Sequence, residues 1–276
     1  MKRILALLTC LMALSSEAQY YFNDLLANRQ THRQYQLLRK LRVRSFTVVA
    51  LPDQPMGKEE VLVTQEISLD GKKVVLYSSE TGGNTNRTIT LYEGGKLIKS
   101  TAGMRRGDVT TQFSYGVNGL PQRIQSTTRD TSLDINQSEV HLYNYRQDSI
   151  PDFAYVIRDN SDTLRVEFVT DSLQQVVEEK WIRKNKQIER YYYYYDNNRR
   201  LTDIVRFNSK AGQLLPDYIF SYNDAGQIAK MIQVPRYGSN YLTWEYLYDE
   251  KGLKTMEKLS SKDRQQSGTL QYRYVF

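Results

Sequence analysis

The sequence predicts an all-β protein built from tandem antiparallel hairpins, preceded by a short N-terminal helix. Three observations lead there. Tyrosine is heavily used, with 22 residues in a chain of 276. Aromatic and aliphatic residues alternate with polar ones along its second half. Polar turn clusters recur at a near-constant interval. Only 6 prolines and 15 glycines are present, so this is not the composition of a disordered chain. Mean hydropathy is low at -0.61, which leaves tyrosine to supply apolar surface. Its large ring with a polar tip suits half-buried strand faces.

Residues 1–18 read as a secretory signal peptide. Lys2 and Arg3 precede an apolar run from Ile4 to Leu14, and Ser16-Glu17-Ala18 fits a small-x-small cleavage site. The run is too short to span a bilayer, and no later stretch is long and apolar enough to do so. The expected location is therefore beyond the inner membrane: periplasmic, cell-surface or secreted. Leu7-Leu8-Thr9-Cys10 loosely resembles a lipoprotein box, the weaker of the two readings because Thr9 suits that site poorly. Cys10 is the only cysteine, so cleavage at Ala18 leaves a chain with no thiol, disulfide or cysteine-based zinc site.

Residues 19–44 form a basic segment. Arg29, Arg33, Arg39, Lys40, Arg42 and Arg44 are cationic, and no acid lies between Asp24 and Asp53. Partly helical spacing of Tyr35, Leu37, Leu38 and Leu41 predicts a helix over about residues 31 to 42. It is expected to cap the β structure, as atypical terminal repeats do. A contact of residues 29–44 with a membrane surface is the alternative. The formal net charge of +7 is interspersed, and with export it argues against nucleic acid as a partner.

Residues 45–276 form the β-repeat domain. Its clearest units end a strand on an aromatic, turn on polar residues and start a new strand. Tyr195-Asp196-Asn197-Asn198-Arg199-Arg200-Leu201 is one. Tyr222-Asn223-Asp224-Ala225-Gly226-Gln227-Ile228 and Tyr248-Asp249-Glu250-Lys251-Gly252-Leu253 are the next two, and Tyr274 supplies a fourth aromatic, at steps of 27, 26 and 26 residues. Looser copies begin at Tyr92, Tyr115, Tyr145 and Thr170, and the pattern starts near Leu69-Asp70-Gly71. Asn, Asp and Gly provide the left-handed backbone that such turns need. Leu242, Trp244, Tyr246 and Tyr248 share one strand face, as do Leu270, Tyr272, Tyr274 and Phe276. A lone hairpin is only marginally stable in water, so the units must share their aromatic faces. The outcome is a curved meander sheet, or a barrel-like or solenoid structure.

The Tyr-Asp-x-x-Gly-x-Leu type of turn at this spacing resembles the YD repeats of the RHS family, best over residues 195–201, 222–228 and 248–253. Arg199 replaces the turn glycine in the first unit and Asn223 the aspartate in the second. The resemblance implies an all-β repeat scaffold; large members wrap their repeats around a C-terminal toxin. This chain ends within a repeat and lacks the Asp-Pro processing segment, so a short form without toxin is expected.

Chemistry-bearing motifs are absent. The two histidines, His32 and His141, do not have metal-ligand spacing. His141 in Val140-His141-Leu142-Tyr143 reads as a satisfied strand histidine. No nucleophile elbow, phosphate loop or dinucleotide fingerprint occurs. No catalytic, cofactor-binding or metal residue is assigned, and no cofactor is expected. Asp148-Ser149-Ile150, Asp162-Thr163-Leu164 and Asp171-Ser172-Leu173 resemble O-glycosylation sites of exported proteins but fit ordinary turns. Five consecutive tyrosines, Tyr191 to Tyr195, present either a strand covered on both faces or an exposed stacking platform, with Tyr192 and Tyr194 as the candidate binding surface. The expected function is an exported, non-enzymatic scaffold that binds an unidentified protein or polysaccharide. The alternatives are an outer-membrane β-barrel and a hydrolase using paired carboxylates such as Glu178-Glu179.

Overall fold

The computed structural model describes residues 19–52, 58–79, 85–146, 149–208, 212–236, 240–263, 265 and 267–276. The signal peptide, Cys10 and Asp148 lie outside the described residues. A π-helical turn, Tyr21–Leu26, leads into α1, Ala27–Lys40. Eighteen strands follow: β1 (Ser45–Leu51), β2 (Glu60–Ile67), β3 (Lys73–Ser79), β4 (Thr85–Glu93), β5 (Lys96–Met104), β6 (Gly107–Tyr115), β7 (Pro121–Asp130), β8 (Ile135–Tyr145), β9 (Pro151–Arg158), β10 (Asp162–Thr170), β11 (Val176–Arg183), β12 (Lys186–Tyr195), β13 (Leu201–Asn208), β14 (Gln213–Tyr222), β15 (Ile228–Gln233), β16 (Leu242–Tyr248), β17 (Lys254–Ser261) and β18 (Ser267–Val275).

Successive strands from β2 to β18 are hydrogen-bonded neighbours in one sheet, and β18 is in turn a neighbour of β2. The strand order is therefore a closed cycle, the topology of an up-and-down barrel. This corrects two of the three expected arrangements, the open meander and the solenoid. Closure removes the unpaired edges that an open sheet would expose. No local feature of the sequence announces the β18–β2 pair, because its partners are far apart in the chain.

The turns explain why these residues make hairpins. After the strand-final Tyr195, the Asp196 N–H bonds the Arg200 carbonyl (3.0 Å) and the Arg199 N–H returns to the Asp196 carbonyl (2.9 Å). Asn223 and Gln227, and Asp249 and Leu253, repeat the first bond at 2.9 Å. The side-chain oxygen of Asp196 accepts the N–H of Asn198 and Arg200, and that of Asp249 accepts Lys251 and Leu253. The fourth residue after the tyrosine always has positive φ: +60° at Arg199, +77° at Gly226 and +83° at Gly252. Glycine adopts that backbone without steric cost.

The degenerate copies fold the same way. Ser149 and Gln174 hold the glycine position at φ +67° and +64°, and the Arg146–Ile150 and Asp171–Gln175 backbone bonds are both present. Tyr92 differs, because Gly94 and Gly95 make a two-residue turn between the paired Glu93 and Lys96.

Five of the repeat tyrosines also tie their unit to the one before. The hydroxyl of Tyr222 donates to the Leu201 carbonyl (2.6 Å), Tyr248 to Ile228 (2.9 Å) and Tyr274 to Lys254 (2.8 Å). Tyr115 and Tyr145 reach Leu97 and Pro121 likewise. The ladder register shifts by one residue at Tyr115, Tyr145, Tyr195, Tyr222 and Tyr248. This bulge turns the ring toward the preceding strand.

The chain forms two compact units. One comprises Phe46–Thr64 and Tyr191–Tyr274, the other residues 19–45, Gln65–Arg190 and Val275–Phe276. In the first, Tyr191, Tyr193, Ile204, Phe220, Trp244, Leu259 and Leu270 bury one strand face. The Trp244 stripe holds as expected, whereas Phe276 is 52% exposed at the end of its own. In the second unit Leu97, Ile124, Ala154, Val156, Leu164, Val166, Phe168 and Trp181 are buried on the packed face.

The helical segment belongs to this second unit and begins about ten residues earlier than its periodicity suggests. It lies on the packed face of the sheet through Tyr20, Asp24, Leu25, Tyr35 and Leu38. Tyr35 stacks on Tyr92 with ring centroids 3.8 Å apart and donates to the Gly71 carbonyl. The cationic residues Arg29, Arg33, Arg39, Lys40, Arg42 and Arg44 stay exposed.

Candidate functional site

Strand β12 separates its tyrosines by face. Tyr191 and Tyr193 are 1% and 2% exposed, Tyr192 is half-buried and Tyr194 is 47% exposed. The strand is thus packed on one side and open on the other, which combines the two expectations for the run. On the open face Tyr192 pairs with Val205 and Tyr194 with Asp203. Phe207 continues that face opposite Leu214, and Ile219 lies opposite Ile232. Phe207 and Leu214 are 53% and 44% exposed. The two candidate tyrosines therefore belong to a broader aromatic and aliphatic patch. Phe207 and Leu214 escaped the sequence reading because the alternation Val205-Arg206-Phe207 suggests an outward arginine, whereas Arg206 is buried, 2.6 Å from Asp217, and Phe207 is exposed. The turn residues Tyr195, Tyr222 and Tyr248 are half-buried and Asp196, Asn223 and Asp249 are used by backbone donors, so they build the scaffold.

A second arrangement lies beneath the helix, within the other unit. Asp24 Oδ2 is 2.5 Å from His141 Nδ1 and accepts the Tyr143 hydroxyl at the same distance. His141 Nε2 is 2.8 Å from Glu139, and Glu139 accepts Arg158 Nε at 2.5 Å. Both histidine nitrogens are thus engaged. Burial alone would push the imidazole pKa down, but the Asp24 and Glu139 carboxylates outweigh it and lift it to about 10. Burial likewise pushes Glu139 up, yet His141 and Arg158 hold it below the usual carboxylate range. Burial and Asp24 keep the Tyr143 phenol protonated. The sequence could not reveal this cluster because Asp24 and His141 are 117 residues apart. A row of small hydroxyls, Thr90, Ser100, Thr111 and Ser126, runs across paired strands of the packed face to Glu139.

Glu178 and Glu179 do not come together. Adjacent strand residues point to opposite faces; Glu179 is fully buried, whereas Glu178 bonds Arg190 on the open side at 3.0 Å. Among the described residues no cluster of three or more His, Cys, Asp or Glu could hold a metal. A shallow polar depression of about 260 Å³ lies on the open face of β5–β7, between Lys99, Asp108, Gln112 and Arg129. No described helix is long and apolar enough to cross a membrane.

No family model and no curated protein matches the chain. Among solved structures, a complex of TcdB2, TccC3 and Cdc42 matches at 14% identity and a TM-score of 0.37, over 80% of this chain but 14% of that one. This chain thus spans about one seventh of that neighbour. Porin-like proteins of Bacteroides uniformis and Bacteroides vulgatus match at 10% and 14% identity, TM-scores 0.39 and 0.32, covering 98% and 97% of those chains. These likenesses are too remote to assign a family; the chemistry of the strand faces decides what the barrel can do.

Proposed function

We propose that this chain is an exported, non-enzymatic β-barrel of the cell envelope, built from YD-type repeats, that binds a polysaccharide or protein through the open face of β12–β14. One observation carries the reading: Tyr194, Phe207 and Leu214 are 44–53% exposed on one sheet face, backed by strands that bury Tyr191, Tyr193, Ile204 and Phe220 on the other side. Rigid aromatic rings on a preformed surface suit stacking on sugar rings or on a partner's apolar side chains. Binding to an array of envelope polysaccharides, with pull-down for protein partners, tests it. Tyr194→Ala with Phe207→Ala is expected to weaken binding at least tenfold, about 1.4 kcal/mol. Unchanged binding by the folded double variant would reject this face.

An outer-membrane barrel is the second reading, favoured by the closed strand order. It asks the open faces to meet lipid. In the unit containing β3–β11 those faces carry Lys99, Gln112, Gln125, Arg165, Glu167 and Lys180 among apolar residues such as Phe153, Tyr155 and Ile182. A cationic side chain facing lipid at the bilayer midplane costs about 2–4 kcal/mol, which is why the water-facing barrel stands first. Release from envelope fractions by alkaline carbonate without detergent supports the first reading; release only by detergent supports the second.

A further inference from the structure

We infer that Glu179 is a built receptor for the chain's own mature N-terminus, so that cleavage after Ala18 completes the fold. The inference rests on the export reading above. Glu179 is fully buried on β11, and Gln19 and Tyr20 are each 5% exposed. The Glu179 carboxylate accepts the Tyr20 N–H through Oε1 at 2.9 Å and the Tyr21 N–H through Oε2 at 3.0 Å. Trp181 Nε1 donates to Oε1 at 2.6 Å, and the Tyr20 ring packs on Trp181 with centroids 5.0 Å apart. Two successive backbone donors and an indole thus aim one carboxylate at the first turn of the helical segment. Negative charge is favoured there by the helix dipole.

The Gln19 nitrogen is one residue upstream of the N–H that Oε1 accepts, and successive residues are about 3.8 Å apart from Cα to Cα. In an uncleaved chain that nitrogen is a neutral amide. Hydrolysis of the Ala18–Gln19 bond leaves a carboxylate on Ala18 and an ammonium on Gln19. The new cation then stands beside a buried anion, where charge attraction is strongest. The mature end would be held by charge as well as by packing of Tyr20.

Intact mass and thermal unfolding of the exported protein test this. The mature chain is expected to begin at Gln19 with a free amine. N-acetylation, or a Met-Gly extension, is expected to lower Tm by about 4 °C or more at pH 7. That difference should shrink as pH rises through the amine's titration range, because the deprotonated end gives Glu179 no charge to attract; this arm needs no mutation. In a Glu179→Gln background acetylation should cause no further loss. An uncleaved chain overturns the export reading, and a cleaved chain that starts elsewhere overturns the placing of the mature end beside Glu179. A chain cut at Gln19 whose Tm changes by less than about 1 °C on acetylation, or whose Gln19 has cyclised with loss of ammonia, overturns the role of Glu179 alone.

Discussion

Replacing Asp24 with alanine is expected to destabilise the protein by about 3–5 kcal/mol at pH 7, the cost of leaving a buried charge without its partner. Asp24 and His141 have side chains only 7% and 5% exposed, so water cannot substitute for the lost carboxylate. The change would leave the buried His141 with Glu139 as its remaining carboxylate partner and remove the acceptor of the Tyr143 hydroxyl. Asp24→Asn retains an oxygen acceptor and should cost less. The damage should be local, because Asp24 fastens the helical segment to the sheet. Trypsin should then cut at the exposed Arg29 and Arg33 sooner than in the parent. Urea unfolding with a timed digest measures both. A variant within about 0.5 kcal/mol of the parent would mean that the cluster does not hold the helix.

The same ion pair fixes a direction with pH. His141 binds its proton more tightly folded than unfolded, with a folded value of about 10 against the ordinary 6.5 of a histidine. Its contribution is therefore complete below about pH 6.5 and is lost as pH climbs toward 10. Asp24→Asn should reduce that slope, which separates the histidine from the tyrosines that titrate at the alkaline end.

The second large effect is a contrast between neighbours. Tyr193→Ala is expected to cost about 3–5 kcal/mol, as for deletion of a buried aromatic ring. Tyr194→Ala should stay within about 0.5 kcal/mol in stability, since Tyr194 is 47% exposed against 2% for Tyr193. Tyr194→Ala should instead act on ligand binding. Equal losses at both positions would show that β12 is covered on both sides and would remove the proposed surface.

What the sequence could and could not convey follows from the range of each interaction. The Tyr-Asp turns were legible because a turn is local: Asp196 and Asp249 accept donors two and four residues ahead. The degenerate turns at Ser149 and Gln174 were harder, because strand pairing on either side imposes a left-handed backbone on residues that do not prefer it. The helix start was hidden by Asp24, a polar residue on the buried face, which breaks the apolar periodicity for a reason located on β8. The open face of β12–β14 was half legible. Tyr192 and Tyr194 stood out in a run of five, but Phe207 and Leu214 become their neighbours only through the β12–β13–β14 register.

The central claim is that tyrosine-turn hairpins are stitched into one sheet that closes on itself. Residue-resolved amide hydrogen exchange in β2 and β18 tests it most directly. A closed sheet predicts protection of successive amides in Glu60–Ile67 and Ser267–Val275, comparable to that of β7 and β8, because these strands have partners on both sides. Fast exchange at every second amide in either strand, the signature of an unpaired edge, would contradict it.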